Sequence, residues 1–184
     1  MTRFIFILTL FLFLQTANAN AAISVLGDSE AAICYKHAKL GYSSRSSINI
    51  CLNILSDKPL PLNIRDATRI NLGIIYNNGL KPNLALEQFN KAIKNESVKA
   101  EALLNQGNSL YLLKNFSGAL DKYEESLKSN IKDVSAVYYN KGLVFEKLGN
   151  TKDAVLFYKK ALSLNPDLIS IFDRRSSLNE GWRT

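Results

Sequence analysis

With 184 residues, 47% of them apolar and 21% charged, the chain has the balance of a globular protein with room for one modest domain. Its formal net charge is +7. The lysines and arginines are scattered among Asp and Glu from Lys36 to Arg183, which argues against a nucleic-acid-binding tail and leaves an acidic partner as the chemistry such a charge would serve.

Residues 1–19 carry one positive charge at Arg3, an apolar stretch over 4–14, and a small-residue exit at Ala17-Asn18-Ala19. That order is the order of a secretory signal peptide. The stretch is about half the roughly 20 residues a spanning helix needs, so cleavage after Ala19 is expected over an uncleaved anchor. A lipoprotein would need a cysteine at the cleavage point, and the first cysteine is Cys34. Loss of Arg3 lowers +7 by one, to about +6. The expected location is periplasmic or secreted, with no membrane insertion after cleavage.

Residues 20–65 read as a divergent amino-terminal cap. Helical stretches over 29–40 and 46–55 meet around Gly41, and Lys58-Pro59-Leu60-Pro61 breaks the pattern afterwards. Cys34 and Cys51 fall on the two opposed helices, each about two turns from Gly41, so their side chains can face one another. An even cysteine count in an exported protein makes a structural disulfide the expected reading, with two buried free thiols as the alternative. His37 follows Cys34 by one turn and raises a Cys-His nucleophilic pair, but no third orienting group accompanies it, so a surface histidine is the expectation. Two sulfurs seventeen residues apart are neither a Cys-x-x-Cys redox motif nor a structural zinc site.

Internal repetition begins at residue 66. Three segments, 66–99, 100–134 and 135–168, carry Gly73, Gly107 and Gly142. Ala85, Ala119 and Ala154 follow these glycines by twelve residues, and Phe89, Tyr123 and Tyr158 follow the alanines by four. Successive glycines are 34 and 35 residues apart. Between the marks, apolar residues recur at three- and four-residue steps, as in paired amphipathic helices. The small residues sit where the two helices of each pair cross. Pro82 suits a helix first turn, and Asn115 and Asn150 are placed to cap the equivalent helices. Phe89, Tyr123 and Tyr158 read as core.

The pattern resembles the tetratricopeptide repeat, which runs Trp-x2-Leu-Gly-x2-Tyr, then Ala-x3-Phe, then Pro. The third copy matches best, as Tyr138-x2-Lys141-Gly142-x2-Phe145, Ala154-x3-Tyr158 and Pro166. Departures are Arg69 and Leu103 for the first aromatic, Gln106 and Lys141 for a leucine, and Ser97 and Ile131 for the proline. The resemblance implies an all-α fold, an α-solenoid of antiparallel helical hairpins in a right-handed superhelix. It implies a non-catalytic adaptor or scaffold that binds a peptide or helix of a partner protein in its concave groove. The alternative is a structural accessory subunit of a cell-envelope complex, or a repeat protein that self-associates. One hairpin cannot bury both its faces, so the flanks should cap the stack. Residues 169–184 are expected to supply a carboxy-terminal capping helix, built on Leu168, Ile171 and Phe172, and a tail.

The first helix of each repeat should line the groove: Ile70, Asn71, Ile74 and Asn77 from the first copy, Leu104, Asn105, Asn108 and Tyr111 from the second, and Tyr139, Asn140, Leu143 and Glu146 from the third. Asn71, Asn105 and Asn140 recur two residues before each glycine. Two readings are open for them: amides that bond the backbone of a bound peptide, or amides that hold neighbouring hairpins in register. Some relatives of the repeat grip an acidic carboxyl terminus with a clamp of cations. Ile70, Leu104 and Tyr139 occupy positions where that clamp needs charge, so an apolar anchor on the ligand is expected. Ser129-x-x-Lys132 lies in an expected turn without companion motifs, and no phosphate loop, zinc motif or nucleophile elbow occurs. No catalytic residue, metal or cofactor is expected.

Overall fold

The computed structural model describes residues 30–56 and 60–169. The expected signal peptide, Lys58 and Pro59 of the break, and the expected terminal helix beyond Ile169 lie outside the described residues. Within them the chain forms α1 (Glu30–Lys39), α2 (Arg45–Ser56), α3 (Leu62–Asn78), α4 (Pro82–Ala92), α5 (Lys99–Leu112), α6 (Phe116–Lys128), α7 (Val134–Lys147) and α8 (Thr151–Leu164), with 3-10 turns at Glu96–Val98 and Pro166–Leu168. Odd and even neighbours pair as hairpins, and α5 and α7 each also pack against the preceding hairpin, so the architecture is an α-solenoid.

Local chemistry sets the helix ends. Pro82 opens α4, where its missing N–H has no partner to lose. The Asn115 side chain accepts from the Gly118 N–H at 3.0 Å, and the Asn150 side chain accepts from the Asp153 N–H at 3.2 Å. Each repeat hairpin then reverses at a left-handed residue seven positions beyond its marker glycine: Leu80 (φ 55°), Lys114 (φ 60°) and Gly149 (φ 74°). The helix α3 begins at Leu62, a turn before Asp66, because Pro61 already holds the φ of −53° that a helix entry accepts. Asp66 therefore sits inside the helix, where it accepts from Arg69 Nη1 at 2.8 Å and from Asn95 Nδ2 at 3.0 Å. That second bond ties α3 to the turn that leads into α5.

The marker glycines make room for rings. A methyl group at Gly73 would lie 2.6 Å from Phe89 Cζ, and one at Gly107 would lie 2.6 Å from Tyr123 Cδ1. Gly142 stands in the same relation to the Tyr158 ring. Close approach thus runs between one helix backbone and the aromatic of its partner, with Ala85, Ala119 and Ala154 buried one turn away.

At the amino-terminal end, α1 and α2 close around Cys34 and Cys51, both wholly buried and at disulfide-bonding distance, with Cα atoms 5.3 Å apart. Among the described residues no helix is long and apolar enough to cross a membrane.

Candidate functional site

The first helices α3, α5 and α7 stand side by side, and they carry all twelve residues expected to line a groove. Eleven of those twelve are buried: Ile70, Asn71, Ile74, Asn77, Leu104, Asn105, Asn108, Tyr111, Tyr139, Asn140 and Leu143. Glu146 is exposed. The expectation of an open lining differs from this arrangement, and the physical reason is a set of amide hydrogen bonds that the side chains make inside the stack.

Asn108 is the centre of that set. Its Oδ1 accepts from Tyr123 OH at 2.9 Å and from Asn140 Nδ2 at 2.8 Å, so one carbonyl joins α5, α6 and α7. Asn105 Nδ2 donates to the Glu101 carbonyl at 2.9 Å within α5. One hairpin earlier, Ser109 Oγ donates to Asn77 Oδ1 at 3.0 Å and joins α5 to α3. The Asn140–Asn108 and Ser109–Asn77 bonds run between neighbouring hairpins and are of the kind that fixes register, while the Tyr123–Asn108 bond closes one hairpin. Burial raises the Tyr123 phenol well above its ordinary pKa, with Tyr111 adding a smaller push in the same direction, so Tyr123 stays a donor at neutral pH. Asn77 Nδ2 is a buried donor with no hydrogen-bond partner among the described residues.

A second set of links was not legible in the sequence as a site. Gln106 Nε2 donates to Asn90 Oδ1 at 2.7 Å, and Lys141 Nζ pairs with Glu124 Oε1. Gln106 and Lys141 are the residues that depart from the repeat's leucine, one residue before the glycine, and Asn90 and Glu124 stand seventeen residues after the preceding glycine. The same register position therefore carries a polar bond across both junctions between repeats. The departures were the signal. Lys141 also lies 4.3 Å above the Phe157 ring, which stacks on Phe145, so its stem and charge share one apolar seat.

An ion pair whose carboxylate is half exposed contributes little net stability, whereas an emptied seat costs more. Lys141→Ala is thus expected to lose about 2 kcal/mol, and Lys141→Leu to stay within about 1 kcal/mol of the parent in urea unfolding. Equal losses would show that charge, not volume, governs the position.

The Cys34 and His37 side chains do not converge as a nucleophilic pair. The Cys34 sulfur faces Cys51, while His37 Nδ1 lies 2.9 Å from Ser47 Oγ and its ring meets Tyr42 edge-on at 5.1 Å.

Comparison with known proteins follows the same repeats. Two tetratricopeptide repeat models match, one over residues 135–168 and one over residues 76–134, together just over half of the 184 residues. The chain is 27% identical over 147 residues to the type IV pilus assembly protein PilF of Pseudomonas aeruginosa, covering 79% of this chain and 58% of that protein. It therefore spans less than two thirds of that relative's length. It is 42% identical over 65 residues to sperm-associated antigen 1 of Rattus norvegicus, covering 35% of this chain and 7% of that one. The solved structure of MamA superposes with a TM-score of 0.56 at 24% identity, covering 79% of this chain and 80% of that chain. The likeness to MamA concerns the fold. On its helical hairpins, their marker residues and these matches, the chain belongs to the tetratricopeptide repeat family.

Proposed function

We propose that this protein is a non-catalytic scaffold that binds an extended peptide or a helix of a partner protein along the face built from α3, α5 and α7. The observation that carries the reading is the set of tetratricopeptide repeats with their first helices α3, α5 and α7 side by side, held in register by amides that bond between hairpins. Ile70, Ile74, Leu104, Tyr111, Tyr139 and Leu143, with the amides Asn71, Asn105, Asn108 and Asn140, form the buried wall behind that face, and Glu146 is its exposed rim. Among the described residues, α1 and α2 cap the amino-terminal end of the repeats at 66–99, 100–134 and 135–168.

The setting belongs to the same proposal. A signal peptide over 1–19, cleaved after Ala19, delivers the chain to the periplasm or beyond the cell, where a Cys34–Cys51 bond persists. Similarity to a protein named for type IV pilus assembly fits an envelope partner.

Leu104→Ala and Tyr139→Ala are poor probes, since both residues are buried and truncation would open cavities. A photo-crosslinking residue placed at Glu146 tests the groove better, with Asp121 on the outer helix α6 as the comparison site. Crosslinks from Glu146 to a discrete protein that Asp121 does not capture are expected. The same proteins from both positions would sink the reading.

A further inference from the structure

The two edges of the solenoid differ. One edge carries the turns within hairpins, over 39–45, 77–84, 111–118 and 146–153; the other carries the connections between hairpins, over 61–66, 92–101, 127–135 and 164–169. The first holds six basic residues against two acidic ones, a surplus of four; the second holds five of each and is neutral.

Apolar residues within the interior of the stack divide in the same way, while Leu62, Leu164 and Ile169, at the two ends of the second edge, are exposed. At the interior connections Val98 and Ile131 are buried. At the turns within hairpins Leu80 is 77% exposed, Leu113 41% and Leu148 53%, and Tyr42 continues the row at 50% on the cap. Each leucine adjoins an exposed lysine: Leu80 with Lys81, Leu113 with Lys114, Leu148 with Lys147. Leu80 holds this place at φ 55°, a left-handed conformation that disfavours a leucine and that the third copy gives to Gly149. Single exposed leucines are ordinary, but one per repeat on one edge beside a charge surplus is not.

We propose that this edge is a membrane-docking surface, on which the leucine tips enter the interface of a bilayer while the flanking lysines meet anionic lipid headgroups. The tips belong to separate hairpin turns along one edge and form a row of single exposed side chains. Such a row suits a soft surface that admits each leucine by itself, and the charge surplus selects anionic lipid. The surface adjoins the proposed groove at the carboxy-terminal ends of α3, α5 and α7, where Asn77, Tyr111 and Glu146 lie, and none of the leucines or lysines of the edge belongs to that groove.

The test uses the full chain and vesicles of phosphatidylcholine alone or mixed with phosphatidylglycerol, read by co-sedimentation. Binding at least about tenfold tighter to the mixed vesicles is expected, weakening with salt. Lys81→Gln, Lys114→Gln and Lys147→Gln together should weaken it by roughly a hundredfold, at about fivefold per lysine. The triple change Leu80→Asn, Leu113→Asn and Leu148→Asn should weaken it by about tenfold or more, with circular dichroism unchanged. Lys94→Gln, Lys128→Gln and Lys132→Gln on the opposite edge should leave it within about threefold. Three outcomes overturn the proposal. One is equal affinity for both vesicle types, and another is equal loss from the two lysine triples, including no loss from either. The third is absent vesicle binding with salt-sensitive binding to polyglutamate that depends on Lys81, Lys114 and Lys147, which would make the edge a site for an acidic protein.

Discussion

Gly107→Ala is expected to lower the unfolding free energy by about 2 kcal/mol and the Tm by roughly 6 °C, while Gly142→Ala stays within about 1 kcal/mol of the parent. Alanine gains about 1 kcal/mol of helix propensity over glycine at either position, so the sign depends on what the added methyl meets. At Gly107 it meets the Tyr123 ring, 2.6 Å from Cδ1. That ring cannot retreat, because the residue is 1% exposed and its hydroxyl is held by Asn108. Overpacking against a fixed neighbour costs about 1–3 kcal/mol, and displacing Tyr123 also strips a buried hydrogen bond. At Gly142 the neighbour is Tyr158, which is only half-buried and whose hydroxyl donates to the exposed Glu146 carboxylate, a partner that can move outward with the ring. Thermal unfolding of the two variants followed by circular dichroism decides it. Equal Tm changes would mean that the rings are not what the glycines accommodate.

The second large effect is expected at the cap. Denatured, unreduced protein should show no titratable thiol, and reduction or the pair Cys34→Ala with Cys51→Ala should destabilise the α1–α2 hairpin by about 3 kcal/mol, the chain-entropy value for a loop of this length. The loop spans 17 residues. The cap depends on the link because the residues buried around it are small. Ala31, Ala38 and Ser47 offer little apolar area, and Ile54 is the one large aliphatic among the fully buried residues of α1 and α2. Amide exchange should rise first over residues 30–56 on reduction, with the repeats beyond Leu62 protected for longer. Two titratable thiols in the unreduced chain, or exchange that rises uniformly along it, would defeat this expectation.

Period and spacing carry much of the fold. The glycine, alanine and aromatic marks recur at fixed steps, and each pairs a helix with the one that follows it, so hairpins and their order follow from local pattern. Caps at Asn115 and Asn150 and the opening at Pro82 were equally legible, since capping is a contact between near neighbours in the chain. The start of α3 was less so: Pro61 marks a break in the sequence, but it also presets a helical entry, and the extra turn from Leu62 is held by packing against the cap.

The groove residues show where pattern runs out. A helix face can be assigned from spacing, and Ile70, Asn105 and Tyr139 do fall on the first helices as their spacing requires. Whether such a face is wet or dry depends on what lies across it, and that is a relation between residues about 32 apart, such as Asn108 with Asn140 and Asn77 with Ser109. Gln106 and Lys141 make the same point from the other side: in the sequence they are departures from a leucine with no role assigned, yet each finds a polar partner on the hairpin before it. By itself the sequence determined that this chain is a stack of helical hairpins with small residues at their crossings, because those marks repeat at short range; that the glycines seat aromatic rings came from the structure. Only the tertiary structure decided which polar side chains close the joints between hairpins and which leucines remain at the edge. Those outcomes depend on partners brought near by stacking, and no single repeat contains them.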